Sequence, residues 1–319
     1  MAARSPARGA ARPARPGGAT TSSGRVLGVG EPLPVNLKSV HRVSLAEAMN
    51  PEHRSTMEDE HVVVDEFGGD PSTGFFGVYD GHGGRGVAKY LRTHLHDNVA
   101  RELHEKDSRS VEECLKSAFL LTDIECSHTG EAAAGSTAVV CIVRHQGRKR
   151  YVFTANCGDA RAVLCHRGTA VRLSRDHKAT DADERDRISR AGGFVLKGRV
   201  MGVLAVARSF GDFAIKKYVT CEPYTSTTKV NAQSDFIIVA CDGVWDVLSD
   251  QQAVDLVSRH MPTAAAMEEE LKAAEAAGEP LQEPRCRIRR QQSAAQALVD
   301  AALARNSTDN ITAMVVFLH

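Results

Sequence analysis

The chain has 319 residues, 42% hydrophobic and 25% charged, and its 40 Lys plus Arg balance 40 Asp plus Glu. These proportions fit a folded domain of large size, or two ordinary ones, and exclude a wholly disordered chain, a collagen and a disulfide-rich mini-protein. The zero net charge argues against a dedicated nucleic-acid binder, and no apolar run reaches the roughly 18 residues that a membrane span needs.

Residues 1–36 are rich in Ala, Arg, Pro, Gly and Ser, and their first acid is Glu31. That composition predicts a disordered tail, because it offers too little apolar surface to offset the entropy of ordering. An Arg-rich, nearly acid-free segment also leaves an organelle transit peptide open, although no amphipathic helix is evident. It has no apolar core of a secretory signal, and Ala2 after Met1 rules out myristoylation. From residue 38 short strands dominate. Apolar, β-branched runs predict strands at 61–66, 74–79, 235–241 and 311–318, and hairpins pairing 136–143 with 150–154 and 161–165 with 169–173. Apolar stripes at helical spacing predict helices at 86–105 and 110–126, and further helices follow at 181–191, 253–259 and 293–305. Residues 261–292, Ala/Glu-rich and then Arg-rich, read as a surface insertion in a domain spanning 37–319. Strands mixed with helix pairs, without βαβ alternation, predict an α+β fold around an antiparallel sandwich. The eight cysteines are scattered with no C-x-x-C pair, which fits reduced thiols in a cytoplasmic or nuclear protein.

The carboxylates gather at strand ends. The run 75–79 leads into Asp80-Gly81-His82-Gly83-Gly84, the run 236–241 into Asp242-Gly243-Val244-Trp245-Asp246, and the run 152–157 into Gly158-Asp159. Asp309-Asn310 precedes the last strand, and Glu58-Asp59-Glu60 precedes the strand at 61–66. A buried strand holds the acid at its tip accurately, and a neighbouring glycine allows close backbone approach or a positive φ. A single Asp-Gly is ordinarily a turn, but several converging acids would repel one another unless a cation sat among them. All-oxygen donors suit Mg²⁺ or Mn²⁺; zinc would call for His or Cys clusters, and no HxxxH or HExxH is present.

These motifs resemble the metal-dependent type 2C (PPM) serine/threonine protein phosphatases. The resemblance is carried, in family order over roughly 38–319, by Arg54-Ser55-Thr56-Met57-Glu58-Asp59, Tyr79-Asp80-Gly81-His82-Gly83-Gly84, Gly135-Ser136-Thr137-Ala138, Asn156-Cys157-Gly158-Asp159-Ala160-Arg161, the segment Leu204 to Asp212, Cys241-Asp242-Gly243-Val244-Trp245-Asp246 and Thr308-Asp309-Asn310-Ile311-Thr312. It implies a four-layer α-β-β-α sandwich and hydrolysis of phosphoserine and phosphothreonine by a water bridging two Mn²⁺ or Mg²⁺ ions. It implies that Asp80 bridges the ions, that Asp242 and Asp309 complete one site, and that Glu58 and the Gly81 carbonyl complete the other. Asp159, with Asp242 and Asp246, would hold a third, weaker ion. Asp59 would orient the metal-bound water, Arg54 would clamp the phosphate and His82 would be the general acid. The flap departs from the pattern of many relatives: Met201 stands where they carry an Asn after the Arg-Val pair, and Arg199 is a weak candidate for substrate contact. Trp245 reads as core, Asp176 and His177 as structural caps, and Asp212 as a loop anchor.

The resemblance implies phosphorylated proteins as partners, with no nucleic acid, no membrane and a monomer expected. Two other readings stand beside the active phosphatase. A scaffold pseudophosphatase on the same fold should lack at least one metal-site acid, and here every one is present. A two-metal nuclease should carry an aromatic and basic stripe, which is missing.

Overall fold

The computed structural model describes residues 20–21, 23–27, 37–105, 108–129, 133–261, 268–269, 272–273, 291 and 293–319. Two antiparallel sheets stack on each other. The first runs in the order Thr20–Thr21, Gly24–Leu27, Glu60–Asp65, Gly74–Tyr79, Ala138–Gln146, Lys149–Cys157, Tyr224–Val230. The second runs Thr169–Arg172, Arg161–His166, Ser234–Ala240, Ile311–Phe317, Arg42–Ala48.

The strands read as continuous apolar runs because both faces of each sheet are buried. Side chains alternate across the pleat. Val63, Phe76, Val78, Val139 and Cys141 therefore face Leu164, Ile237, Val239, Met314 and Val316 of the second sheet in the inter-sheet core. Val62, Val64, Phe75, Val140 and Ile142 point the other way, against the helices Gly86–His104 and Val111–Cys126. On the outer face of the second sheet, Phe236, Ile238, Ala313 and Val315 meet Asp250–Ser258 and Ala294–Ala304. This is the α-β-β-α sandwich expected. A lobe between the two sheets' strands, carrying the helix Ala182–Arg190 and the hairpin Val195–Leu196/Arg199–Val200, has its own small core of Ala179, Ile188, Val200, Ala207 and Val219.

Three points depart from the sequence reading. The expected disordered tail contributes strand Gly24–Leu27, which pairs Arg25 with Asp65 and Leu27 with Val63. Val26 and Leu27 alternate between the outer and inner cores, a short signal inside a polar, Gly-rich stretch. Most of the rest of that tail, most of the expected insertion at 261–292 and Cys286 lie outside the described residues. Strands Arg42–Ala48 and Tyr224–Val230 were not foreseen. The first carries Arg42, Ser44 and Glu47 within its run, and the second is a largely polar edge strand. The remaining seven cysteines are buried.

Candidate active site

The sandwich brings the strand ends named above to one end of the molecule. Asp80 follows strand Gly74–Tyr79, Asp159 follows Lys149–Cys157, and Asp242 opens the short helix Asp242–Trp245 directly after Ser234–Ala240 and Cys241. One carboxylate oxygen from each of these three acids lies within 4.8 Å of the others. Oδ1 of Asp242 is buried and has no hydrogen-bond partner among the described residues.

The glycines act here through close approach. A Cβ on Gly81 would collide with the Glu58 carbonyl, and one on Gly243 with the Asn310 carbonyl. Neither glycine has a positive φ. Both therefore let the 56–59 and 309–310 segments pack directly against the two Asp-Gly corners. Asn310, which the sequence reading did not single out, ties those segments together. Its Nδ2 donates to the Met49 and Thr56 carbonyls at 2.8 and 3.0 Å, and its Oδ1 accepts from the Glu58 backbone N–H at 2.9 Å.

Around the trio, Glu58 accepts from Thr56 Oγ1 at 3.1 Å and from the Gly84 N–H at 3.3 Å. Arg54 Nη2 bonds the Asp309 carboxylate, and its Nε donates to the Thr308 carbonyl at 3.2 Å. Asp59 is buried and accepts from Thr312 Oγ1 at 2.7 Å. Lys178 Nζ lies 2.8 Å from Asp246 and 3.7 Å from Asp159, an internal cation among the acids that sequence reasoning missed. His82 Nε2 lies 2.8 Å from Asp212 Oδ2. Arg199 donates to the Val203 carbonyl at 2.8 Å within its own loop, and Met201 has a φ of 51°, a conformation that suits Asn better than Met.

Asp176 and His177 are structural, but not as caps. Asp176 pairs with Arg161 at 2.5 Å, and the buried His177 ring sits against Gly158 with its pKa pushed down to about 4 by burial and by Arg208. Trp245 is core, with its indole N–H donating to the Ala240 carbonyl at 2.9 Å.

The electrostatics record the crowding. Burial, followed by the charges of Asp242, Asp59, Asp159 and Asp309, raises Asp80 well above the ordinary carboxylate range. Burial pushes Asp59 to about 7, against hydrogen bonds from Thr312 and Cys241. Burial and Asp242 push Asp159 to about 7, against the pull of Lys178. Burial, Asp309 and Asp246 push Asp242 to about 6. Asp309 is raised by burial despite Arg54. Glu58 and Asp246 both act on Asp309, so the acids form one electrostatic group. A cluster that disfavours its own ionisation, with an unpartnered buried carboxylate oxygen inside it, suits a hard divalent cation.

An α-β-β-α sandwich with such an acidic centre at one end defines the class of protein. The family model for protein phosphatase 2C matches residues 44–311. The chain is 37% identical over 301 residues to protein phosphatase 2C homolog 1 of Schizosaccharomyces pombe, covering 93% of this chain and 78% of the relative. It is 35% identical over 291 residues to the homolog 1 of Saccharomyces cerevisiae, covering 87% and 94%. Among solved structures, a serine-threonine phosphatase 2C from Toxoplasma gondii superposes with a TM-score of 0.66 at 24% identity, over 87% of this chain and 94% of that one. A sex-determining protein of C. elegans superposes with a TM-score of 0.71 at 23% identity, over 88% of this chain and 65% of the other. The chain belongs to the protein phosphatase 2C family and is an enzyme, a protein phosphatase. No helix among the described residues is long and apolar enough to cross a membrane.

Proposed function

We propose that the chain hydrolyses phosphoserine and phosphothreonine in proteins at this centre. The observation that carries the reading is the convergence of Asp80, Asp159 and Asp242, with Asp242 Oδ1 buried and unpartnered.

Asp80, Asp242 and Asp309, with Glu58 and the Gly81 carbonyl, would hold two Mn²⁺ or Mg²⁺ ions, and Asp159 and Asp246 a third. Bound there, such ions acidify water and neutralise charge on the phosphoryl group. The protein's own groups do the rest. Arg54, half-exposed and already facing the acids, is placed to take phosphate oxygens in the bidentate manner of guanidinium. Asp59, buried and close to neutral pH in its titration, is placed to orient the attacking water and accept its proton. His82 gives a proton to the leaving alkoxide, which needs one because serine and threonine are poor leaving groups. Arg199, on the exposed hairpin, would reach acids on the substrate once it leaves the Val203 carbonyl.

The test is turnover of phosphoserine and phosphothreonine peptides by the purified protein, with phosphotyrosine peptide and single-stranded DNA as controls. Turnover of the first two, abolished in Asp242→Asn with the fold retained, is expected. Release of phosphate from neither, or cleavage of DNA, contradicts it.

A further inference from the structure

His82 lies where three short strands meet. Gly81–His82 pairs with Gly135–Ser136, which pairs on its other side with Phe210–Gly211. Gly135 is the common partner, opposite both His82 and Gly211. A Cβ on Gly135 would overlap both Asp212 Oδ2 and His82 Nε2. Only glycine there leaves room for the imidazole and the carboxylate to meet.

Asp212 is held for that meeting. It is buried and sits in the left-handed region at φ 50°, directly after Gly211 at φ 72°. Two successive left-handed residues make a sharp corner that must be stabilised from outside. The Asp212 N–H donates to the Ala134 carbonyl at 2.8 Å, and the Gly211 N–H donates to the buried Asp123 at 2.8 Å. Asp123 is in turn paired with Lys216 at 2.9 Å. At the tip, Asp212 Oδ2 accepts from Ser209 Oγ as well as from His82 Nε2. A carboxylate accepts and cannot donate, so the ring must carry a proton on Nε2. Nδ1 is left as the nitrogen without a protein partner among the described residues.

We propose that Asp212 is a positioning residue for the phosphatase reaction: it holds the His82 ring by Nε2 so that Nδ1 delivers the proton to the departing serine or threonine oxygen. This rests on the acid role assigned to His82 above. As the P–O bond breaks, the Nδ1 proton passes to the leaving oxygen and its electron pair stays on Nδ1. The ring is left neutral with its one proton on Nε2, the tautomer Asp212 accepts from. The proton that Asp59 takes from the attacking water balances the one given up, and exchange with solvent returns a proton to Nδ1.

The test uses the full chain with saturating Mg²⁺ and compares a phosphoserine peptide with p-nitrophenyl phosphate, whose leaving group needs no proton. His82→Ala should lower kcat on the peptide by roughly 10²-fold and much less on the nitrophenyl ester. Asp212→Asn should reproduce that selectivity with a loss of about 10-fold or more on the peptide, and His82→Ala/Asp212→Asn should be no worse than His82→Ala alone. In the unmutated protein, at a pH where the ring is neutral, ¹⁵N spectra should show His82 protonated at Nε2. If His82→Ala lacks the leaving-group selectivity, the acid assignment itself fails. If His82→Ala shows it but Asp212→Asn is unchanged, harms both substrates equally, or adds to His82→Ala, the positioning role is overturned. A Nδ1-protonated ring in the unmutated protein overturns it without any variant, should Asp212→Asn not fold.

Discussion

Arg54 and Asp309 form an ion pair at the mouth of the acidic cluster, with Arg54 also anchored on the Thr308 carbonyl. In the function proposed above, the same guanidinium would bind phosphate and the same carboxylate would bind a cation, so each partner would be held in place by the other until its ligand arrives.

Arg54→Ala should therefore weaken substrate binding without weakening ion binding. Charge-assisted hydrogen bonds contribute roughly 1.5–3 kcal/mol, which is about 10- to 100-fold in kcat/KM. Inorganic phosphate should inhibit the variant more weakly, while the Mn²⁺ concentration giving half-maximal activity should stay the same or fall, because Asp309 loses a competing cation. A variant that needs more metal would place Arg54 in the ion site's support.

The raised acids make a signed statement about pH. In the metal-free protein Asp59 and Asp159 titrate at about 7 and Asp242 at about 6, all above their unfolded values. Between pH 6 and 8 the folded state then releases protons that the unfolded state has already lost, so stability falls as pH rises. His177, pushed down to about 4 from an ordinary value of 6.5, contributes the opposite slope between those two values, so it offsets part of the fall at the acid edge of the window, where the raised acids outweigh it. Thermal unfolding in EDTA should show a lower Tm at pH 8 than at pH 6. Asp80→Asn should reduce that difference and raise Tm at pH 8, while abolishing turnover. An unchanged slope in Asp80→Asn would mean the acids do not repel as a group.

Lys178 stands between Asp246 and Asp159 and so would compete with the third ion proposed there. Lys178→Met should increase the number of Mn²⁺ ions bound at sub-millimolar concentration, counted by electron paramagnetic resonance. Loss of a bound ion in this variant would show that the ammonium supports the site instead.

Leu27 is 6% exposed and packs in the inter-sheet core. Leu27→Ala should cost about 2 kcal/mol or more in chemical denaturation, at the low end for buried Leu→Ala. No change would mean that residues 24–27 are not part of the sheet in solution.

Much of this was legible from the sequence because the site is built on strand ends. A buried strand announces itself as an apolar run, and an acid at its tip stands out, so the residues alone point to Asp80, Asp242 and Asp309 with Glu58 alongside, and Asp159 marks a further strand end. What stayed hidden depends on contacts between distant segments. Asn310 and Lys178 reach across 252 and 68 residues to Glu58 and Asp246, and no local pattern carries that information. Glycine offered two explanations at Gly81 and Gly243, a turn or a close approach, and only the packing of Glu58 and Asn310 against them decides for the second. Asp212 was read as a loop anchor, because its partner His82 is 130 residues away. Gly24–Leu27 was too short to rise above a Gly- and Arg-rich background.

The central claim is that carboxylate-held divalent ions drive phosphoester hydrolysis at this centre. It is tested most directly by stripping the protein with excess EDTA and measuring turnover of a phosphoserine peptide before and after adding Mn²⁺ or Mg²⁺. Carboxylate-rich sites that retain water bind these ions loosely, so turnover should vanish in EDTA and return on addition of ions in about the millimolar range. Undiminished turnover in excess EDTA would contradict the account.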